Sequence, residues 1–392
     1  MPLAVLPRMQ RHLLSAANAG LRTSASSHVA ASCKSSSDIT AHVEDHIRQM
    51  QVNIMEELIP QDDSGNIQNL ADLNVTSNLG RMTKYYFQQG GKMLRPTVSL
   101  LMASACNSAV KRTFDESQLV IPSTSPAFSA CRNQYKIGMI AEMIHTASLV
   151  HDDVIDEACT RRGSASVNAV WGNKMSVLVG DFILARATQI LCSIGRPEVI
   201  SVMASIIEDL VLGEFMQMSS CCPDATPQDR MKAYLEKTFR KTASLFANSC
   251  RSVAILADEQ NTEMADLAYQ YGQNLGIAFQ LVDDLLDIVS TSSEMGKPVA
   301  ADMKLGLATC PVLYACEDFP ELNSMIARKF GQPGDVETAH EMVIKSKGIE
   351  KTQLLVKKYS DEAVRVIRSI GGKNLAIDRL VELALEQGAR RL

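Results

Sequence analysis

Three carboxylates crowd into five residues at two places in this chain, as Asp-Asp-Val-Ile-Asp at Asp152–Asp156 and as Asp-Asp-Leu-Leu-Asp at Asp283–Asp287. Each cluster interrupts an otherwise apolar run with helical spacing. In a helix, positions i and i+4 share a face with Cβ atoms about 5–6 Å apart. Asp152 therefore pairs with Asp156, and Asp283 with Asp287. Carboxylates that close repel unless a cation stands between them. Ligands made only of oxygen suit Mg2+, which keeps several waters and bridges carboxylates to a substrate phosphate.

A basic set accompanies the acids. Gly90-Gly91-Lys92-Met93-Leu94-Arg95-Pro96 puts Lys92 and Arg95 one turn apart at a helix start, where both the helix terminus and the side chains favour anions. Arg161-Arg162-Gly163 follows the first acidic cluster, Lys241-Thr242 lies within Arg240–Leu245, Gln280 precedes the second cluster and Lys297 follows it. Acids alone would suggest a bare metal site. Acids with Lys and Arg suggest phosphates held between metal and cations.

The elements that must position these groups read as helices. Apolar residues recur at helical spacing in His42–Leu58, Asn69–Gln88, Pro96–Ala105, Ile137–Asp156, Asn173–Ile194, Pro197–Met218, Asp229–Ala257 and Thr262–Ile288, and no alternating strand pattern competes with them. The fold class expected from this spacing is all-α. Pro and Ser/Thr punctuate three breaks, at Thr113–Asn133, Ser219–Thr226 and Ser290–Lys297. The last follows the second acidic cluster, where a loop can act as a lid.

Composition narrows the function classes. The chain is 46% hydrophobic and 21% charged with a net charge of −5, which gives no reason to expect nucleic acid as a partner. No run of about 18 apolar residues stands out, so no membrane-spanning helix is expected. Ten Cys without C-x-x-C spacing read as free thiols. Residues 1–37 contain no Asp or Glu but carry Arg8, Arg11, Arg22 and Lys34 among Ser, Ala and apolar residues. That is the composition of a mitochondrial transit peptide, leaving residues 38–392 as the functional domain.

Taken together these motifs resemble the trans-isoprenyl diphosphate synthase family, over roughly His42 to the C-terminus. The likeness rests on G-K-x-x-R-P, on His145–Asp156 with its H-D-D-x-x-D ending, on Arg161-Arg162, on Lys241-Thr242 and on F-Q-x-x-D-D-x-x-D at Phe279–Asp287. The segments Gly213-Glu214-Phe215, Tyr234–Asn248 and Gly296–Thr309 look like the long-chain polyprenyl members. Two positions depart from the family's usual pattern without removing a catalytic group, Ala158-Cys159 and Cys310.

The resemblance implies an all-α, large single-domain helical bundle with a central active-site cavity, and a Mg2+-dependent prenyltransferase that condenses isopentenyl diphosphate head-to-tail onto an allylic diphosphate, farnesyl or geranylgeranyl, to make the side chain of ubiquinone. Asp152, Asp156 and Asp283 would hold Mg2+ against the allylic diphosphate, with Asp153, Asp284 and Asp287 supporting that shell. Arg161, Lys241 and Lys297 would bind the same diphosphate. Lys92, Arg95, His145 and Arg162 would hold isopentenyl diphosphate. Thr242 and Gln280 would turn oxygen dipoles toward the allylic cation. The departing diphosphate would take the proton, so no protein base is assigned. The partners implied are a second related subunit in a hetero-oligomer, or further copies of the chain, and a peripheral membrane contact for a very apolar product.

The helix carrying Asp152 also bears on product length. Position 147 lies five residues back, roughly 7.5 Å along the axis. A bulky side chain there would stop the growing hydrocarbon early, whereas this chain has Ala147, Ser148 and, one turn further, Ile144. A product above twenty carbons is expected. The alternatives are a short-chain synthase, which Ala147 opposes, a non-catalytic subunit, which two complete acidic motifs oppose, and a terpene cyclase, which would not need Lys92 and Arg95.

Overall fold

Apolar positions recur every three to four residues along this chain, and the backbone follows that period. The computed structural model describes residues 36–58, 70–88, 91–112, 128–219, 226–289, 300–371 and 374–389, all within the unit Cys33–Leu392. In order they form α1 (Ser36–Glu57), α2 (Leu70–Gln88), α3 (Leu94–Ala109), α4 (Arg132–Ile155), β1 (Thr160–Arg161), β2 (Ser164–Ala165), α5 (Val167–Trp171), α6 (Asn173–Cys192) and α7 (Pro197–Ser219). Then come α8 (Pro227–Thr238), a π-helical turn at Phe239–Ala243, α9 (Ser244–Ala257), α10 (Thr262–Val289), α11 (Ala301–Lys304), α12 (Cys310–Ala315), α13 (Leu322–Ala327), α14 (Asp335–Lys345), α15 (Gly348–Ser369) and α16 (Leu375–Ala389).

Local chemistry sets several boundaries. Thr226 caps α8 by accepting from the Asp229 N–H at 3.2 Å, with Pro227 as its first residue. Pro96 falls in the first turn of α3, where a missing N–H removes no helical bond. Two expectations need refinement. The stretch Asp229–Ala257 is helical throughout, as expected, but not α-helical throughout, because a π turn at Phe239–Ala243 lies between α8 and α9. Such turns insert a residue and re-aim the side chains they carry, here Lys241 and Thr242. The second refinement is a small hairpin, with Thr160 opposite Ala165 and Arg161 opposite Ser164. Its turn residues Arg162 and Gly163 have φ of 51° and 78°, the pair of left-handed residues a two-residue hairpin turn demands.

The core is built around α10, which packs on α9 and on α15. Leu275, Leu281, Val282 and Leu285 of α10 are fully or almost fully buried. Close approach to α9 depends on two glycines one turn apart. A Cβ at Gly272 would stand 2.5 Å from the Phe246 carbonyl oxygen, and one at Gly276 would stand 2.5 Å from the Ala243 Cα. This contact sets the π turn against the part of α10 that carries Gln280 and the second acidic cluster. On the other side of the bundle α4 packs along α6.

One helix has apolar character that a core helix and a membrane span share. Helix α6 is long and apolar enough to cross a bilayer by length and composition, with a mean hydropathy of 1.5 and 39% of the window buried. Asp181 and Arg186 interrupt it, which is why no unbroken apolar run is visible. Residues 1–35, the 113–127 part of the expected loop, Cys221-Cys222 and Lys297 lie outside the described residues. The remaining end of that loop is anchored, with Phe128 and Ala130 buried and Arg132 already in α4.

Candidate active site

Both acidic clusters sit at the C-terminal ends of their helices. Asp152 and Asp153 are in the last turn of α4, Asp156 follows it, and Asp283, Asp284 and Asp287 occupy the last two turns of α10. The macrodipole puts its negative end there, so the placement opposes carboxylates unless a cation compensates.

The six aspartates divide by what they touch. Asp153 is fully buried and accepts from Arg161 Nε at 2.7 Å, while its Oδ2 is buried without a hydrogen-bond partner. Asp284 accepts from the Tyr234 hydroxyl, from Gln280 Nε2 at 3.0 Å and from the Cys310 N–H at 3.2 Å. Asp287 accepts from the Ala301 and Asp302 N–H groups at 3.0 and 3.2 Å, holding the start of α11. Asp152, Asp156 and Asp283 are the three that lack such protein partners among the described hydrogen bonds. Burial, with repulsion from Glu214 and Asp156, pushes Asp152 up to about 6 against the pull of Lys241 and Arg161. Asp156 is raised too, by burial first and then by Glu214 and Asp153, against Lys241 and Arg161.

A divalent cation suits this donor set, since neighbouring carboxylate oxygens that repel one another and reach solvent are what it would neutralise. One refinement concerns how it is held. Among the described residues no three His, Cys, Asp or Glu side chains converge into a ready chelating group, so the trio Asp152, Asp156 and Asp283 does not form one cage. The arrangement fits an ion that takes one or two carboxylates and completes its shell with water and substrate oxygens.

The cations fall into two groups. Lys241 forms an ion pair with Glu214, and Arg161 pairs with Asp153. Both act electrostatically on Asp152, so both belong to the first cluster. The second group lies around Arg95, whose Nε is buried without a hydrogen-bond partner and whose guanidinium sits 5.1 Å from the Phe246 ring centroid. Burial lowers Arg95 to about 10, opposed by Glu142 and reinforced by Arg162. Burial first, then Arg95, Arg162 and Arg161, hold His145 well below its ordinary range, so it is neutral at pH 7. Arg162 lies over the glycine loop: a Cβ at Gly91 would meet its Nη1 at 3.1 Å. Lys92, by contrast, is exposed and lines a cavity of about 390 Å3 between α1, α3 and α16, at the edge of this group.

Between the groups runs a relay. The Thr242 hydroxyl donates to Gln280 Oε1 at 2.9 Å, and Gln280 donates onward to Asp284. Its hydrogen spent, the Thr242 oxygen keeps its lone pairs free to face a cation. Ile144 and Ala147 are buried in the main apolar cluster, and Ser148 donates to the His145 carbonyl at 2.9 Å.

Sequence reading missed several members of the site. Asp302, in the first turn of α11, is raised to about 7 by burial and by Asp287, Asp284 and Asp283, with Lys237 opposing. Lys237 stands one turn before Lys241, a signal the sequence did offer. Tyr234 and Glu142 carried none, since a Tyr and a Glu in amphipathic helices read as ordinary.

The polyprenyl synthetase family model matches residues 76–343. A human all-trans-polyprenyl-diphosphate synthase, PDSS1, is 50% identical over 295 residues, covering 75% of this chain and 67% of its own. A mitochondrial solanesyl-diphosphate synthase from Oryza sativa is 46% identical over 294 residues, 74% of this chain and 66% of its own. The crystal structure of a Caulobacter crescentus polyprenyl synthase, complexed with calcium and isoprenyl diphosphate, superposes with a TM-score of 0.73 at 27% identity, covering 91% of this chain and 98% of that one. This chain belongs to the polyprenyl synthetase family.

Proposed function

We propose that this chain is a mitochondrial long-chain all-trans-polyprenyl diphosphate synthase, a prenyltransferase that adds isopentenyl diphosphate units successively to farnesyl or geranylgeranyl diphosphate and so makes the side chain of ubiquinone. The observation that carries this reading is the separation of two basic groups, Lys241 with Arg161 and Arg95 with His145 and Arg162, beside two sets of carboxylates. Two diphosphates need two such groups. The relatives named as polyprenyl and solanesyl synthases, several of them mitochondrial, support the long product and the location.

Bound by Asp152, Asp156 and Asp283, Mg2+ would supply Lewis-acid neutralisation of the allylic diphosphate. Lys241 and Arg161 grip that diphosphate and stabilise the charge it gains as its C–O bond breaks. Lys297 is assigned to the same task from its motif. The Thr242 oxygen, fixed by Gln280, faces the allylic cation. Arg95, Arg162 and Lys92 hold isopentenyl diphosphate with its double bond toward that cation, and neutral His145 contributes a hydrogen bond without adding charge. Asp153, Asp284 and Asp287 hold Arg161, Gln280 and α11 in place. Ala147 leaves room for the growing chain.

The assembly proposed is an oligomer, with a second related subunit or with further copies. Exposed apolar side chains support it: Val170 on α5, Met175, Val177 and Leu178 on α6, and Val211, Leu212, Phe215 and Met218 on α7. Surfaces of this kind mark protein or membrane contacts. The test is product length. The chain from Asp38 onward, given Mg2+, farnesyl diphosphate and labelled isopentenyl diphosphate, is expected to yield products well above twenty carbons. A product of fifteen or twenty carbons would refute the long-chain reading. If incorporation requires the related subunit, the assembly is heteromeric.

A further inference from the structure

Lys241 has three carboxylates within electrostatic reach and is bonded to the one outside the aspartate clusters. Asp152 and Asp156 each feel Lys241 as an attractive charge and Glu214 as a repulsive one. The ammonium nevertheless pairs with Glu214 Oε2, in a partly buried bridge whose side chains are 21% and 13% exposed. The lysine stem is guided there by α7. A Cβ at Gly213 would stand 2.6 Å from Lys241 Cγ, so the stem can cross the helix only because residue 213 is glycine. Gln217 Nε2 lies 3.5 Å from the other Glu214 oxygen.

We propose that Glu214 is a positioning residue that holds Lys241 away from Asp152 and Asp156 until an allylic diphosphate arrives. The proposal rests on the allylic-site reading given above. A lysine near two carboxylates that no other protein group holds, Asp152 half-buried and Asp156 exposed, is itself a competent counter-ion for them. If Lys241 settled on that pair, its ammonium would occupy oxygens that a divalent cation must take, and the site would be neutralised before metal or substrate bound. Glu214 removes the competitor without removing it from the site. A diphosphate carries more charge than one carboxylate and offers several acceptor oxygens, so on binding it draws Lys241 over through charge-assisted hydrogen bonds. The lysine then contributes where charge develops, at the leaving group.

Removing a nearby negative charge weakens cation binding by plain electrostatics as well, so one substitution does not isolate the effect. A double-mutant cycle does. The readout is Mn2+ binding to the metal-free full chain, without substrate, followed by the spin-resonance signal of free Mn2+. Glu214→Gln preserves the shape of the side chain and removes its charge. Mn2+ affinity is expected to fall about tenfold, the equivalent of one pKa unit of carboxylate–cation interaction. Lys241→Met in the parent is expected to raise affinity less than the same substitution does in Glu214→Gln, because in the parent Glu214 holds the lysine. Lys241→Met added to Glu214→Gln is expected to restore most of the loss. Additive effects of the two substitutions would overturn the proposal. Glu214→Asp keeps the charge and serves where the Gln variant folds poorly; Mn2+ affinity close to the parent's is expected, and a full loss would overturn it. Product length made by the parent chain separates this proposal from the function itself. A long product with additive Mn2+ binding sinks the Glu214 role alone, whereas a short product sinks the long-chain reading.

Discussion

Asp302 offers the sharpest test of the electrostatics, because its carboxyl is surrounded by others and no sequence motif required it. Its value rises from 3.8 to about 7 through burial and through Asp287, Asp284 and Asp283. The folded, metal-free protein therefore binds more protons than the unfolded chain across that window. Stability attributable to this group is full below the unfolded value and falls as pH climbs through the folded one. At about 1.4 kcal/mol per unit the shift corresponds to about 4 kcal/mol, and solvent at the partly exposed side chain reduces this to about 2 kcal/mol. Asp302→Asn keeps the shape and removes the charge. The metal-free variant is expected to match the parent near pH 4 and to exceed its stability by about 2 kcal/mol at pH 8. Saturating Mg2+ should shrink or reverse that advantage, because the ion neutralises the parent's carboxylates. Urea unfolding in EDTA and in Mg2+ at several pH values measures each term. A difference between variant and parent that does not change with pH would refute the reasoning.

Ala147→Phe places a ring about 7.5 Å from the Asp152 turn; products are expected to stop near fifteen to twenty carbons, with a packing cost of about 1–3 kcal/mol, and unchanged product length in a folded variant would refute the open channel. Gly91→Ala puts a methyl 3.1 Å from Arg162 Nη1; the KM for isopentenyl diphosphate is expected to rise about three- to tenfold, through partial loss of a charged hydrogen bond. The KM for the allylic primer should stay constant, and steady-state kinetics with each substrate varied in turn separates the two. Tyr234→Phe removes one of three donors to Asp284, which already titrates near 6 because of burial. Its value should rise further, moving the acid limb of the rate profile to higher pH and costing about 1–2 kcal/mol of stability; an unmoved limb would show that Asp284 does not control activity.

Much of the architecture could be read from periodicity, and the reasons are local. The helices over Leu70–Gln88, Pro197–Ser219 and Thr262–Val289 lie within a residue of the spans their apolar spacing predicts. Failures occur where local chemistry departs from a regular period. The π turn at Phe239–Ala243 sits inside an uninterrupted helical pattern, and one inserted residue leaves no compositional trace. The hairpin at Arg161–Ser164 is too short to alternate.

The sequence by itself determined the chemistry of this protein: two acidic clusters, the cations that answer them and a small residue at position 147. Those choices are local, since helix geometry alone puts Asp152 beside Asp156 and Asp283 beside Asp287. Tertiary structure decided how the aspartates share the work. Asp153, Asp284 and Asp287 are satisfied by Arg161, by Tyr234 with Gln280 and Cys310, and by the start of α11. Asp152, Asp156 and Asp283 are left to the solvent side. It also decided where Lys241 rests and which carboxylates gather around Asp302. These partners are 4 to 50 residues apart. Glycines at 213, 272 and 276 let the Lys241 stem and helices α9 and α10 pass at contact distance, and no short-range pattern specifies which distant surface fills that space.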